Sequence, residues 1–196
     1  MNTELVSLVK GEKVDITKTN PGLKVAAIGL GWDTSGSSST FDLDAFCLAL
    51  TSGKLVDAPG HILYFGSPKV GGAPEILGGA LHHTGDNLTG AGDGDDETML
   101  VNFSKLPVGI TEVMICANIY QAASKRQNFG MVNNAFVRIY DHETKAEIAR
   151  FDLSEDASAK SGMVFGKLYL HAGEWKFQAL AELKDGDINQ IAATYR

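Results

Sequence analysis

Residues 85–97 read Gly-Asp-Asn-Leu-Thr-Gly-Ala-Gly-Asp-Gly-Asp-Asp-Glu. Within thirteen positions they place five carboxylates (Asp86, Asp93, Asp95, Asp96 and Glu97), Asn87, Thr89 and four glycines. These are the ingredients of a loop that wraps a hard cation. Calcium takes six to eight oxygens from carboxylates, amides and backbone carbonyls, and glycines let a short backbone turn its carbonyls inward. Without a cation the loop repels itself, because two carboxylates about 4 Å apart cost about 4 kcal/mol at an effective dielectric of about 20. A second acidic stretch lies upstream, with Asp33 after Gly31-Trp32, and Asp42 and Asp44 in Phe41-Asp42-Leu43-Asp44. The two-residue strand period puts Asp42 and Asp44 on one face, with Phe41 and Leu43 on the other. If 25–31 and 41–50 pair as a hairpin around the Ser-rich segment 35–40, Asp33, Asp42 and Asp44 converge at one sheet edge and supply about half a calcium shell.

The spacing excludes two familiar alternatives. Counted from Asp86, Glu97 falls at position 12 of an EF-hand, but Leu88 and Gly90 occupy positions 3 and 5, and Ala91 stands where that loop needs glycine. A phosphate cradle is excluded because no lysine follows the glycines. Solvated Asp/Gly turns are the competing reading, stronger for Asp33, Asp42 and Asp44 than for a thirteen-residue loop with five carboxylates. Adjacent His82 and His83 point to opposite sides of a strand, so at most one faces a metal, and surface placement is the simpler expectation.

Charge distribution supports localised chemistry. The 196 residues carry 17 Lys+Arg and 24 Asp+Glu, a formal charge of −7, and neither Lys nor Arg occurs between Lys24 and Lys54 or between Lys69 and Lys105. The eight carboxylates of the two acidic stretches lie in those gaps, whereas an acidic surface would spread them. With no Lys/Arg stripe, binding to nucleic acid through phosphates is not expected. At 44% hydrophobic and 21% charged residues the composition is that of a folded domain. No apolar run reaches membrane-spanning length, and 1–11 lacks a signal-peptide core, so a soluble cytoplasmic protein is expected. Cys47 and Cys116 sit in apolar runs and read as reduced core residues.

The elements that must position these residues are mostly strands. Segments 14–17, 25–31, 41–50, 61–65, 98–103, 112–120, 135–140, 147–153, 167–171 and 175–180 are short and apolar, with a β-branched or aromatic bias. Ten such runs predict a mainly β protein: a two-sheet β-sandwich with a few short helices, one of them near the C-terminus. Ala172-Gly173 reads as the turn of a hairpin, with Trp175 and Phe177 on one face. Asp187 is placed to N-cap a helix from Ile188 to about Tyr195, and 122–128 suits a turn or two of helix. The Gly/Pro-rich stretch 66–79 is expected to run without regular structure. A single domain over 1–196 is the simplest division. Phe151-Asp152-Leu153-Ser154-Glu155-Asp156-Ala157 echoes 41–45 and marks Asp152, Glu155 and Asp156 as secondary acidic candidates.

Taken together, VSLVKGEKVDITK at the start, VAAIGLGWD then FDLDA, HTGDNLTGAGDGDDE, KRQNFGMVNNAFVRIYD, EIARFDLSEDAS and FGKLYLHAGEWKFQA resemble the TerD family of tellurite-resistance and general stress proteins. The resemblance runs from Val6 to Ala179. It implies a cytoplasmic, calcium-binding β-sandwich that works with other tellurite-resistance and stress proteins at the inner face of the membrane. Carried over by position, it implies Asp33, Asp42, Asp44, Asp86, Asn87, Asp93, Asp95, Asp96 and Glu97 as calcium ligands. Leu88 and Ala91 depart from the Arg and Glu common in relatives, and 66–81 departs from their Asn-rich turn.

The function expected on these grounds is non-catalytic. About two Ca²⁺ held by 31–44 and 85–97 would order the fold and mediate assembly, since no nucleophile or phosphate-binding set accompanies the carboxylates. The alternative is a metal-dependent phosphoesterase that uses the same carboxylates around two metal ions, with His82 or His83 as base. It lacks the clustered Arg or Lys that would neutralise developing phosphate charge. A third reading has bound calcium bridging the acidic loops to anionic lipid or to another subunit.

Overall fold

The computed structural model describes residues 6–33, 41–57, 60–85, 94–152 and 160–196. In chain order its strands are β1 (Val6–Ser7), β2 (Lys13–Asp15), β3 (Val25–Asp33), β4 (Leu43–Leu50), β5 (Ile62–Leu63), β6 (Lys69–Val70) and β7 (Ala73–Ile76). These are followed by β8 (Leu81–His83), β9 (Glu97–Asn102), β10 (Glu112–Ile119), β11 (Asn133–Asp141), β12 (Glu147–Asp152), β13 (Gly162–His171) and β14 (Glu174–Lys184). Two short α-helices, α1 (Ala122–Lys125) and α2 (Ile188–Ala193), complete the regular elements together with three 3₁₀ turns. The first sheet has the order β1-β12-β11-β3-β9-β8-β7-β6, and the second β2-β14-β13-β10-β4-β5. The expected two-sheet sandwich is what the chain forms.

Strand alternation explains the packing. From β3, Ala26, Ile28, Leu30 and Trp32 enter the inter-sheet core, where they join Leu43, Ala45, Cys47 and Ala49 of β4 and Val113, Ile115 and Ala117 of β10. All eight residues of β4 are buried. Its other face, Phe46, Leu48 and Leu50, packs with Met114, Cys116 and Val164 and is covered by Ile191 and Ala192 of α2. At β4 the second sheet is thus buried on both sides, which is why β4 reads as an unbroken apolar run. Asp187 caps α2 as expected: it accepts from the Gln190 N–H at 2.9 Å while the Gln190 side chain accepts from the Asp187 N–H at 2.9 Å.

Two expectations fail. Strands β3 and β4 do not form a hairpin: β3 lies between β11 and β9 in the first sheet, and β4 between β10 and β5 in the second. The two strands thus belong to different layers, and their apolar faces meet in the core instead of lying side by side. The Gly/Pro-rich stretch 66–79 is not irregular either. It supplies β6 and β7, paired through Val70↔Ala73 around Gly71-Gly72, whose φ values of +63° and +98° are those a tight hairpin turn requires. The hairpin 167–180 forms as expected and extends further at both ends, with Ala172 and Gly173 at φ +53° and +83°.

Candidate metal centre

Asp95 and Asp96 lie where 85–97 rejoins the first sheet. The Asp96 N–H donates to the Leu30 carbonyl at 2.9 Å, and the Trp32 N–H donates to Asp96 Oδ2 at 2.9 Å, which fixes this segment along the end of β3. Asp95 is gripped by Arg138 of β11: Nε donates to Oδ1 at 2.6 Å and Nη2 to Oδ2 at 3.0 Å, while Nη1 reaches Glu147 Oε2 at 3.3 Å. Such a bidentate pair is both stronger and more directional than a single contact. The sequence makes room for it with glycine: a Cβ on Gly29 would overlap the Asp95 carboxyl group, and one on Gly31 would overlap the Phe136 ring and the Gly94 carbonyl. The outer face of β3 is therefore a smooth track on which the acidic segment lies.

Asp33 is at the exposed end of the same strand, where Asn134 Nδ2 donates to its Oδ2 at 2.6 Å. Asn134 has φ +51° in a bulge between Asn133 and Phe136, a local twist that turns its amide toward Asp33. Burial, reinforced by the neighbouring Asp33 and Asp95 carboxylates, raises the Asp96 carboxyl above its ordinary value against the opposing Trp32 N–H. Asp33, Asp95 and Asp96 thus share one negative field at the end of β3, with Arg138 the counter-charge on Asp95.

The remaining candidates go elsewhere. Glu97 turns inward, where it is 2% exposed. Its Oε2 accepts from the Ala45 N–H of the opposite sheet at 2.7 Å and lies 3.5 Å from His83 Nε2. His83, expected at the surface, is fully buried, and its Nδ1 accepts from the Gly85 N–H at 3.2 Å; strand alternation turned the second of the two histidines inward. Asp42 is 3.8 Å from Lys125 Nζ. Asp44 shares the outer face of the second sheet with Phe46 and accepts from Asn118 Nδ2 at 3.3 Å. The expected convergence of Asp33 with Asp42 and Asp44 at one sheet edge therefore does not occur, because the strands carrying them belong to different sheets. Asp152 is exposed and paired with Arg150 at 2.8 Å. Asp86, Asn87, Asp93, Glu155 and Asp156 lie outside the described residues. Among the described residues no three His, Cys, Asp or Glu side chains are grouped to hold a metal by themselves.

Arg138, Asn134 and Asn118 escape a reading of the sequence built around carboxylates. One signal for Arg138 was present: the alternation of Ala135-Phe136-Val137-Arg138-Ile139-Tyr140 puts it on the polar face of its strand with Phe136 and Tyr140.

A two-sheet sandwich that lays an acidic, glycine-bearing segment along one strand end defines a recognisable class of β protein. The TerD domain matches residues 5–195, and the chain belongs to the TerD family. General stress protein 16U of Bacillus subtilis (strain 168) is 43% identical over 192 residues, spanning 97% of this chain and 96% of that protein. The tellurium resistance protein TerD of Serratia marcescens is 38% identical over 191 residues, again spanning 97% of this chain and 96% of its relative. The fold agrees with the crystal structure of a homologue of telluride resistance protein (TerD) from Streptomyces coelicolor A3(2), at TM-score 0.66 and 21% identity over 87% of this chain and 96% of that one.

Proposed function

We propose that the protein is a non-catalytic, calcium-binding stress-response protein of the tellurite-resistance type, acting in the cytoplasm with related stress proteins at the inner membrane surface. The observation that carries the metal reading is the crowding of Asp33, Asp95 and Asp96 at the end of β3, where burial first, and the two neighbouring carboxylates after it, raise the Asp96 carboxyl. The donors there are all carboxylate oxygens, a set that suits a hard cation such as Ca²⁺ rather than zinc or copper. Asp33 and Asp96 are our candidates for ligands at this strand end, and Asp86, Asn87 and Asp93 of the loop that carries Asp96 are added on the family resemblance. Asp95 serves as the anchor through Arg138, and Glu97 ties the sheets together. Stress response and tellurium resistance are the roles that the names of the relatives carry. Among the described residues no helix is long and apolar enough to cross a membrane, so contact with a membrane would be peripheral.

Among the described residues no grouped set of ligands favours the phosphoesterase alternative. Of its two candidate bases, His82 and His83, the second is closed off between Gly85 and Glu97 at zero exposure, and a base must reach its substrate. The deciding experiment is thermal unfolding in calcium and in chelator. A ligand that binds only the folded state at a hundredfold excess over Kd adds about 2.7 kcal/mol, so calcium is expected to raise the midpoint, and identical midpoints would overturn the proposal. Calorimetry on the same sample gives the stoichiometry, expected at two ions per chain.

A further inference from the structure

The outer face of the second sheet carries a cleft with no part in the metal reading. It lies between α1, α2, the end of β10 and the Tyr64-Phe65 corner, and its volume is about 590 Å³, the size of a small-molecule site. Asn118 and Asp44, cross-strand partners in the β10–β4 register, both line it at 3% and 4% exposure. Asn118 Nδ2 donates to Asp44 Oδ2 at 3.3 Å, but Asn118 Oδ1 is buried and accepts no hydrogen bond. Buried carbonyl oxygens rarely lack a donor, so an orphan beside a cleft marks the place where a donor belongs.

The lining says what kind of donor. Asp44 and Asp187 are acidic, and no described lining residue is Lys, Arg or His, so an anion would be repelled. Tyr64 and Phe65, packed edge to face at 5.5 Å, and Ile188 offer an apolar wall. Tyr120, also in the lining, already holds the Lys125 ammonium 5.2 Å above its ring, and aromatic faces of this kind attract organic cations. We propose that this cleft binds a small organic ammonium compound, its N–H groups directed to Asn118 Oδ1 and Asp44 and its apolar body against Tyr64, Phe65 and Ile188. A neutral apolar guest would leave the Asn118 carbonyl as it is, whereas an ammonium group satisfies it and offsets the acidic lining.

The site stands apart from the metal centre, since Asp44 is on the outer face of the second sheet and Asp33 at the end of β3 in the first. The test is a titration of the ¹⁵N-labelled full chain with benzylammonium and with its neutral counterpart benzyl alcohol, in calcium and in chelator. The expected result is saturable shifts at residues 118–123 and 186–190, with benzyl alcohol at least tenfold weaker. Asn118→Leu is expected to weaken benzylammonium at least tenfold. Ala123→Trp, an exposed change at the rim, is expected to abolish its binding, and it decides alone if the first variant does not fold. Absence of saturable shifts, equal binding of the alcohol, or undiminished binding by Ala123→Trp would overturn the proposal. The calcium-induced shift in melting point is read on the same variants and is expected to survive in Ala123→Trp, so either assignment can fail without the other.

Discussion

Arg138 is the side chain on which the acidic segment hangs. Its guanidinium holds a carboxylate whose side chain is only 8% exposed, while it remains 31% exposed itself. Removing one partner of a largely buried pair leaves the other charged and poorly solvated, a cost that reaches several kcal/mol in full burial and less where water can enter. Arg138→Leu is therefore expected to lower stability in chelator by about 2 kcal/mol in urea unfolding. Arg138→Lys should recover part of that, because lysine keeps the charge and loses the two-pronged geometry. Cysteine chemistry is determined at the same scale. Cys47 is fully buried with its Sγ 3.1 Å from Met99 Sδ, and burial pushes both the Cys47 and the Cys116 thiol up, away from the reactive thiolate. Neither thiol should react with a disulfide reagent in the native protein at pH 8, and both should react in denaturant. Rapid native labelling would overturn their assignment as inert core residues.

Elements differ in how much of them can be read from the chain. The α2 cap and the β13–β14 turn were legible because their signals are local: Asp187 lies three residues from its Gln190 partner, and Ala172-Gly173 sits between two alternating runs. The placement of β3 and β4 in different sheets was not legible, because a nine-residue connection is compatible with a turn in one sheet or a step between two. The Asp95–Arg138 clasp joins residues 43 apart and depends on a neighbouring strand, β3, having no side chain at Gly29. Nothing in the loop sequence announces that dependence, and the failure to foresee His83 inside the sandwich has the same origin. The glycine track gives an element-scale prediction. Gly29→Ala forces the Asp95 carboxyl off its seat, an overpacking expected to cost about 2 kcal/mol. It should also shrink the calcium-induced rise in melting temperature, whereas Ala27→Gly, on the same face but away from Asp95, should leave that rise intact.

At the scale of the molecule, the net charge of −7 becomes a variable once metal is considered. Two bound Ca²⁺ would bring −7 to −3, and the change is concentrated in segments without a single Lys or Arg. Migration toward the anode in native electrophoresis is expected to slow when calcium replaces chelator, and unchanged migration would count against two ions. Charge therefore says more about the state of this protein than about its fold, which rests on the two apolar layers on either side of β4.

Strand β1 is held by β12, and β2 by β14, so each is paired by a segment made much later. As the chain emerges from the ribosome, β2 has no partner until residues 176–178 exist, and the second sheet cannot close before then. Folding of such long-range pairings is slow, and an unpaired strand is an invitation to neighbouring chains. The short, charged β2, with Lys13 and Asp15 flanking Val14, presents little to pair with while it waits.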